Sequence, residues 1–485
     1  MRKKKLMQSD LDQFLNKKSI KKDNTQSVLD KKIFTHKPEW ILNIYREKNK
    51  IINSFIDSNT IQEKKINKIF DLPIEDITRP LSKFIGKKLI YMTHGLHIYP
   101  AKFIPQIPQL CIKKYSDPLE YIIDPFCGSG TTLVEAMLLR RNAYGIDINP
   151  LAQLVSRVKT TPLDLDDLKY HYLKIIEFLD MGIKNKLTPL ESVPDNSDFP
   201  NLEYWFSERV RMELKQIQNQ INLIENDQIK DFFLLILSSI IRKVSLADND
   251  QLHPAKTKYA TIQKGHKIPT FEIFKSMLIK KYKIMKYFSS YDFSDIKCKI
   301  TGKGANDIEL TSSIDLAVTS PPYVNALDYV RIHKLEAFWV GFLKEKEILP
   351  LRQKFIGTEN IYVDEYKELP HSSNNCLNDI LIKIHKADRK RAGIIFKYFK
   401  GMKRNIKEVY RILKKKGKYC IVIGANWINN ILVPTPKILI NLAESELGFK
   451  NIKNYVYEII NRRLKIPRAD HGGTIRKEWI IVLEK

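Results

Sequence analysis

The sequence lacks the features that mark secreted, metal-binding and membrane proteins. Its five cysteines are scattered without paired spacing, which argues against a disulfide framework or a zinc site and indicates reduced thiols in a cytoplasmic protein. Even the apolar run 232–241 is bounded by charge, so no membrane span is predicted. Polar residues follow the basic start and leave no apolar core for a signal peptide. His333, His371 and His471 lack metal-ligand spacing, so no metal site is predicted.

Positive charge is what the sequence has in excess. Among 485 residues, 82 Lys and Arg stand against 55 Asp and Glu, a net charge of +27. The length allows two or three domains, and 43% hydrophobic residues indicate a globular protein. The charge points to a polyanionic partner, nucleic acid before a membrane. A codon bias that produces a merely soluble basic surface is the alternative.

Changes in residue pattern divide the chain into four regions. Residues 1–90 are Lys-rich and polar, which predicts a basic, partly helical amino-terminal arm. Residues 91–162 and 296–485 carry alternating strand and helix patterns, so they form the two halves of one α/β domain with a mostly parallel sheet. Residues 163–295 show helical spacing without a strand signal and form a helical insertion. Two late strands, near 452–460 and 479–483, predict an antiparallel edge hairpin.

A glycine-rich loop is the first motif. The buried run 121–123 leads into Asp124 and then Phe126-Cys127-Gly128-Ser129-Gly130, and a helix and a second strand follow before Asp147. This order of a strand, a glycine loop, a helix, a second strand and an acidic residue is typical of the start of a doubly wound sheet that binds a nucleoside. Asp147 is placed to accept both ribose hydroxyls, whereas Asp124 either faces an ammonium or structures the loop. A glycine loop alone is more often a tight turn.

The second motif is a strand that stops in a rigid turn. The apolar run 314–318 ends in Thr319-Ser320-Pro321-Pro322-Tyr323. Two prolines fix φ and remove N–H donors, so the turn presents carbonyls and one aromatic ring at the carboxyl end of a strand. This arrangement predicts a site.

The two motifs together resemble the amino-methylating DNA methyltransferases that use S-adenosylmethionine. The cofactor loop of that family has the form Phe-x-Gly-x-Gly, and its catalytic turn is Asp, Asn or Ser followed by Pro-Pro-Tyr. The Ser form, with Asp328-Tyr329 and His333-Lys334-Leu335-Glu336 downstream, resembles the branch that makes N4-methylcytosine. The resemblance covers roughly residues 90–160 and 296–485, and it implies a Rossmann-like methyltransferase sheet.

The resemblance also implies S-adenosylmethionine as the cofactor and a set of residues around it. The implied cofactor-binding residues are Phe103, Asp124, Phe126, Gly128, Gly130, Thr131, Asp147, Asn149 and Asp307. Phe103 matches the segment that packs near the methionine moiety, although an ordinary core phenylalanine is an equal alternative. Either Asn306 or Asp307 takes the place of the acidic residue near the adenine amine.

The chemistry of an exocyclic amine defines the predicted catalytic residues, Ser320, Pro321, Pro322 and Tyr323. If the Ser320 side chain and the Pro321 carbonyl accept its two N–H bonds, the nitrogen lone pair can point at the methyl donor. Tyr323 would stack on a base flipped out of the duplex. Carbon-5 methylation would need a nucleophilic cysteine after a proline, which the chain lacks, and Cys127 is interpreted as a small packed residue.

We therefore expect a site-specific, cytoplasmic DNA methyltransferase that makes N4-methylcytosine in double-stranded DNA. It would serve a restriction-modification system whose endonuclease is a separate chain. The alternatives are an N6-adenine enzyme of the same fold, an RNA or protein amino-methyltransferase, and a non-catalytic DNA-binding subunit. Candidates for target recognition are the helical insertion, the segment 344–390, predicted to be irregular, and the loop 462–473. Basic residues of the insertion are Arg209, Arg211, Arg242 and Lys243.

Overall fold

The computed structural model describes residues 74–82, 91–100, 102–187, 199, 201–257, 268–311, 313–324, 327–459 and 477–485. Most of the predicted amino-terminal arm and the predicted recognition loop 462–473 lie outside these residues.

An eight-stranded sheet forms the centre of the α/β domain. From one edge to the other its strands are β4 (Cys298–Thr301), β3 (Asn142–Ile146), β2 (Tyr121–Asp124), β5 (Ile314–Thr319), β6 (Leu413–Gly424), β10 (Lys477–Glu484), β9 (Lys450–Glu458) and β1 (Ile74–Asp76). β10 pairs antiparallel with β6 and β9, and every other pairing is parallel. This confirms the mostly parallel sheet with an antiparallel carboxyl-terminal hairpin. The hairpin is not at the edge as predicted, because β1 pairs on the outer side of β9. A separate two-stranded ribbon consists of β7 (Asn426–Ile428) and β8 (Ile431–Val433).

Helices cover both faces of the sheet, which is why its central strands are continuously apolar. Side chains alternate along β2, so Ile122 enters one core and Ile123 the other. The helices on these faces include α2 (Gln106–Tyr115), α3 (Thr131–Leu138), α14 (Arg389–Ile412) and α15 (Thr435–Leu447). A short helix, α1 (Thr78–Ser82), follows β1.

A helical block lies between β3 and β4 and has a core of its own. After α4 (Pro150–Thr160) it comprises α5 (Leu165–Ile183), α6 (Leu202–Trp205), α7 (Glu208–Asn222), α8 (Asp227–Val244) and α9 (Thr270–Ser289). The described residues between 165 and 289 contain no strand. Asp164 and Asn226 accept backbone N–H groups at the starts of α5 and α8, which explains where these helices begin.

One prediction for the region after the catalytic turn was wrong. Two short helices, α10 (Tyr329–Ile332) and α11 (Lys334–Trp339), follow the turn. The segment 344–390, predicted to be irregular, contains α12 (Glu345–Lys354) and α13 (Asn375–Ala387). Polar residues dominate the exposed α12, which buries no side chain, so its sequence carries no apolar period.

None of the described helices is long and apolar enough to cross a membrane. Over the same residues, no group of three or more His, Cys, Asp or Glu side chains has the geometry to hold a metal ion.

Candidate active site

The two motifs meet where the order of the sheet reverses. From β2 the chain proceeds to β3 and β4 on one side, whereas β5 and β6 lie on the other. β2 and β5 are parallel neighbours, with Ile123 opposite Ala317, so their carboxyl ends lie side by side. Ligands of open α/β sheets bind outside the strand ends at such a reversal. The glycine loop follows β2 and the Ser-Pro-Pro-Tyr turn follows β5, so both lie at this position.

Asp124 joins the loop to the turn. Its Oδ1 accepts hydrogen bonds from the Thr319 hydroxyl at 2.5 Å and the Phe126 N–H at 3.0 Å, and its Oδ2 accepts one from the Thr132 hydroxyl at 2.7 Å. The side chain is 1% exposed. Burial raises the pKa of Asp124 to about 6, although the three hydrogen bonds oppose that shift. Of the two roles predicted for Asp124, these partners fit the residue that structures the loop.

The backbone of the loop requires glycine at Gly128 and Gly130, whose φ angles are +49° and +74°. A Cβ on Gly130 would lie 3.1 Å from the Cα of Ser156, whereas a Cβ on Gly128 would meet no atom closer than the Tyr99 ring at 3.8 Å. Helix α3 begins directly after Gly130, at the buried Thr131, without a side-chain cap. The loop is therefore packed on one side at Gly130 and open at Gly128.

Asp147 holds the loop from the end of the neighbouring strand. Its Oδ2 accepts the Gly128 N–H at 2.9 Å, and its Oδ1 accepts the Asn149 N–H at 2.8 Å. Burial raises the pKa of Asp147 to about 6, and the charge of Asp124 acts in the same direction. Each carboxylate oxygen keeps a further lone pair beyond its one backbone donor. The side chain thus has acceptor capacity left for a ligand.

Aromatic side chains surround this acidic group. The Tyr99 ring stacks on His333 at 4.8 Å between centroids and on Tyr329 at 6.1 Å. The Asp147 charge acts on both tyrosines, in which burial is the larger cause of a raised pKa. Burial and the charge of Arg242 lower the pKa of His333 to about 3, so this ring is neutral. The resemblance drew attention to the runs that contain Tyr329 and His333, but the sequence did not predict that these residues form one wall of the site together with Tyr99.

Asn149 and Phe103 have structural partners. Asn149 is buried and caps α4, because its Oδ1 accepts the Leu151 N–H at 3.1 Å. Its Nδ2 donates to the Tyr99 hydroxyl at 3.4 Å, so it also positions that ring. Phe103 is partly buried against the core that contains Cys127. These contacts give Asn149 and Phe103 structural roles next to the site.

The turn after β4 distinguishes Asn306 from Asp307. Asp307 is exposed, and its N–H donates to the Gly304 carbonyl at 3.0 Å. Asn306 instead has a buried Oδ1 without a hydrogen-bond partner among the described residues. A Cβ on Gly304 would meet only Ile148, at 4.0 Å, which places this turn beside the residue that follows Asp147. The unpartnered Oδ1 of Asn306 makes it the better candidate of the two for a ligand contact.

The Ser-Pro-Pro-Tyr turn begins one residue after the Asp124 contact. Ser320 is half-buried, and its hydroxyl makes no hydrogen bond to another described residue. Pro321 is buried, whereas Pro322 is half-buried. The Tyr323 ring is partly buried on the same core as Phe126, and its hydroxyl donates to a carboxylate oxygen of Glu478. No local sequence signal marked Glu478, which lies at the start of β10.

The cysteine of the glycine loop is unsuited to nucleophilic chemistry. Cys127 is buried, and burial raises the pKa of its thiol well above the usual range. A Cβ on Gly145 would lie 3.0 Å from its sulfur, so the side chain fills a tight space under the loop. Its packing agrees with the interpretation of a small core residue.

Two of the four basic residues that the sequence suggested for target recognition in the helical insertion make contacts within the protein. Arg209 forms an ion pair with Glu213 at 2.7 Å, and Arg242 donates to backbone carbonyls, including that of Leu252 at 2.8 Å. Lys243, in the last turn of α8, is exposed. Arg209 and Arg242 therefore stabilise the helical block itself.

Comparison with known proteins identifies relatives along most of the chain. Residues 2–155 match the family model of the N6 and N4 methyltransferases, described as DNA methylase. The chain is 26% identical to the Type II methyltransferase M.MvaI of Kocuria varians, over 83% of this chain and 93% of that protein. It is 28% identical to M.MjaII of Methanocaldococcus jannaschii over 57% and 67%, and 24% identical to M.BsoBI of Geobacillus stearothermophilus over 81% and 85%. Both are also named Type II methyltransferases.

Among solved structures, the chain is similar to a SAM-dependent methyltransferase of Methanosarcina mazei. The match has 12% identity and a TM-score of 0.28, over 80% of this chain and 98% of that chain. Such a low score adds nothing to the fold, which is established by the strand order. The family match and the similarities to the Type II enzymes support the assignment of this chain to the DNA N4/N6 methylase family, and with it a methyltransferase activity.

Proposed function

We propose that the chain is a site-specific DNA methyltransferase that transfers a methyl group from S-adenosylmethionine to the N4 amine of cytosine in duplex DNA. The observation that carries this proposal is the hydrogen bond between Asp124 and Thr319, which fixes the glycine loop beside the Ser-Pro-Pro-Tyr turn. Because these relatives are named Type II methyltransferases, we extend the proposal to the modification enzyme of a restriction-modification system. The endonuclease would then be a separate chain.

S-adenosylmethionine is the cofactor of this methylase family, and the residues at the strand ends fit it. The space over Gly128 has no atom within 3.8 Å of an added Cβ, which leaves room for a ligand close to the backbone. Asp147 would accept ribose hydroxyls with its remaining lone pairs, and the unpartnered Asn306 oxygen would accept from the adenine amine. The flat rings of Tyr99 and Tyr329 supply an apolar wall. When bound, the cofactor supplies an electrophilic methyl group.

The turn supplies acceptors for the target amine. The Ser320 hydroxyl is not engaged by another described side chain, and the carbonyl before Pro322 has no neighbouring N–H to compete for it. Two acceptors of this kind would hold the amine so that its lone pair points out of the base plane. Holding the reacting nitrogen in this geometry is the principal contribution of the turn, since direct displacement needs no covalent intermediate.

Basic residues of the helical block support DNA as the substrate. Lys243 on α8 and Lys280 on α9 are exposed, and their charges, after burial, lower the pKa of Lys281 to about 8. Lys102 and Lys281 donate to the adjacent carbonyls of residues 94 and 95, so they lie close together. Lysines gathered in this way would contact phosphates of the DNA backbone.

One experiment tests both the activity and the base. Plasmid DNA is incubated with the protein and S-adenosylmethionine, digested to nucleosides and analysed by mass spectrometry. We expect N4-methylcytosine with the wild-type protein and none with Ser320→Ala. N6-methyladenine as the product would overturn the choice of base, because the same turn can hold either amine. Absence of any methylated nucleoside in DNA, with transfer to tRNA or ribosomal RNA, would overturn DNA as the substrate.

A further inference from the structure

Glu478 lies at the active-site edge of the sheet although it is the second residue of its strand. β10 runs antiparallel to its neighbours, so its start lies beside the carboxyl end of β6, with Glu478 opposite Gly424. On the other side Glu478 pairs with Tyr457 of β9. The direction of β10 thus brings a carboxylate to the edge where the catalytic turn lies.

The two oxygens of Glu478 serve two different tyrosines. Oε1 accepts the hydroxyl of Tyr323, and Oε2 accepts the hydroxyl of Tyr457. An ionised carboxylate is an acceptor only, so it matches two phenol donors without competition. Burial raises the pKa of Glu478, whereas the two phenols lower it. The pKa of each phenol is raised well above its usual range, chiefly by burial and then by the Glu478 charge, so both phenols keep their protons.

The ring of Tyr323 needs such an anchor. Pro321 and Pro322 fix the backbone before it, but they do not fix its side-chain torsions. The χ2 angle of a tyrosine is broad, and this ring is only partly buried. A hydrogen bond at the hydroxyl, the atom farthest from the backbone, limits the swing of the ring more than any contact near Cβ.

We propose that Glu478 is a positioning residue for methyl transfer: it holds the hydroxyl of Tyr323 and thereby sets the plane against which the flipped target base stacks. This inference rests on the proposed function, because it assumes a base in contact with Tyr323. Glu478 acts through Tyr323 and touches neither the base nor the methyl donor. The role extends the active site to a strand that carries neither motif.

The test combines Glu478→Gln, Tyr323→Phe and the double variant, with Tyr457→Phe as the matched control. Tyr323→Phe keeps the ring and removes only its hydroxyl. Glu478→Gln keeps the shape and gives a neutral amide that offers one acceptor oxygen instead of two. Tyr457→Phe removes the other phenol and leaves the Tyr323 contact in place. Single-turnover methyl transfer is measured on duplex DNA that contains the modified site, together with cofactor and DNA dissociation constants and thermal unfolding.

We expect Glu478→Gln and Tyr323→Phe each to lower the single-turnover rate about tenfold, the effect of losing one hydrogen bond to a charged group. The double variant should be no slower than Tyr323→Phe, because that change already removes the contact that Glu478→Gln weakens by removing the charge. Cofactor and DNA affinities should stay within about twofold of wild type, and Tyr457→Phe should transfer methyl at the wild-type rate.

Three outcomes overturn the inference. A wild-type rate in Tyr323→Phe would show that the contact does not position the ring. A multiplicative loss of about a hundredfold in the double variant would show that the two residues act independently. A loss of single-turnover rate in Tyr457→Phe equal to the loss in Glu478→Gln would assign Glu478 a role in stability alone. If the wild-type protein methylates no DNA, the proposed function itself is overturned. That result differs from an active wild-type protein whose variants keep its rate, which would overturn only the role of Glu478.

Discussion

The carboxylate of Asp124 accepts a 2.5 Å hydrogen bond from the hydroxyl of Thr319, which lies 195 residues later in the chain. The first residue ends β2 and the second ends β5, so the bond joins the strand before the glycine loop to the strand before the catalytic turn. Thr132, in the first turn of α3, donates to the other oxygen. One buried side chain therefore sets the distance between the two halves of the site.

Thr319→Val should loosen that connection with little change in shape. Losing a hydrogen bond to a buried carboxylate costs about 1.5–3 kcal/mol, so the free energy of unfolding in urea should fall by that amount. The rate of methyl transfer should fall as well, because the turn is no longer held against Asp124. Thr132→Val is the matched control. It removes a donor to the same carboxylate on the loop side, so we expect a similar loss of stability with a smaller effect on the rate.

Asp147 should make cofactor affinity depend on pH. Its pKa is raised to about 6, so the carboxyl becomes protonated and loses acceptor capacity as the pH falls through 6. Calorimetry between pH 5 and pH 8 should show affinity for S-adenosylmethionine declining below about pH 6 in the wild type. Asp147→Asn should bind weakly without that dependence. Unchanged affinity in Asp147→Asn would remove this residue from the cofactor site.

The raised pKa of Asp147 also determines how this residue changes the free energy of unfolding with pH. A folded pKa above the unfolded value of about 3.9 favours the folded state below about pH 4, and this contribution is lost as the pH rises to about 6. Urea unfolding of the wild type should therefore show this contribution at about pH 4 and its loss by pH 8, and Asp147→Asn should lack this part of the pH dependence.

Replacing each of the two loop glycines by alanine should have a different effect on the protein. Gly130→Ala combines a left-handed backbone, which costs about 1–2 kcal/mol, with a Cβ 3.1 Å from Ser156, so stability should fall. Gly128→Ala carries the backbone strain without a clash, and its methyl group enters the space beside Tyr99. Its main effect should be weaker cofactor binding. Equal losses of stability in the two variants would contradict the one-sided packing of the loop.

Replacing two exposed lysines should weaken DNA binding uniformly across sequences. The double variant Lys243→Gln, Lys280→Gln should bind both specific and unrelated duplexes less tightly. The dependence of log affinity on log salt should become shallower by about 0.9 for each lost phosphate contact. Arg209→Gln is the control, because Arg209 is already paired with Glu213. An unchanged salt dependence in the lysine variant would place the DNA on another surface.

Ser320→Ala should depress turnover with the cofactor still bound. Loss of one acceptor leaves the target amine poorly oriented, and a misplaced reacting group costs about a hundredfold in rate. Ser313→Ala is a suitable control at the other end of β5, where the hydroxyl donates to the carbonyl of Thr311. A near-normal single-turnover rate in Ser320→Ala, with normal calorimetric binding, would contradict the mechanism.

Both motifs could be predicted from the sequence because each is a local signal. A buried apolar run followed directly by glycines or prolines marks a strand that ends in a special turn, and β2 and β5 lie where these runs predicted them. Helix α13 was predictable by the same means, since Leu377, Ile380 and Ile384 recur at helical spacing. The polar residues around them favoured the wrong interpretation.

Other elements depend on partners that are distant in the sequence. β1 has three residues, two of them acidic, and it forms because the edge of β9 offers a parallel partner. The basic residues 414–416 belong to β6, whose first residues pair irregularly with β5. Glu478 is 155 residues from Tyr323, so no window of sequence contains both. Such contacts follow from strand order and not from local pattern.

The position of β10 also has a consequence for the order in which the protein forms. β10 is the last of the eight strands to be synthesised, yet it lies between β6 and β9. A nascent chain therefore carries the glycine loop and the Ser-Pro-Pro-Tyr turn long before the strand that holds the Tyr323 hydroxyl leaves the ribosome. Pairing over such separations is slow compared with local folding. The contact between Tyr323 and Glu478 is thus among the last to form, and the newly made protein acquires its complete site only when the sheet closes around β10.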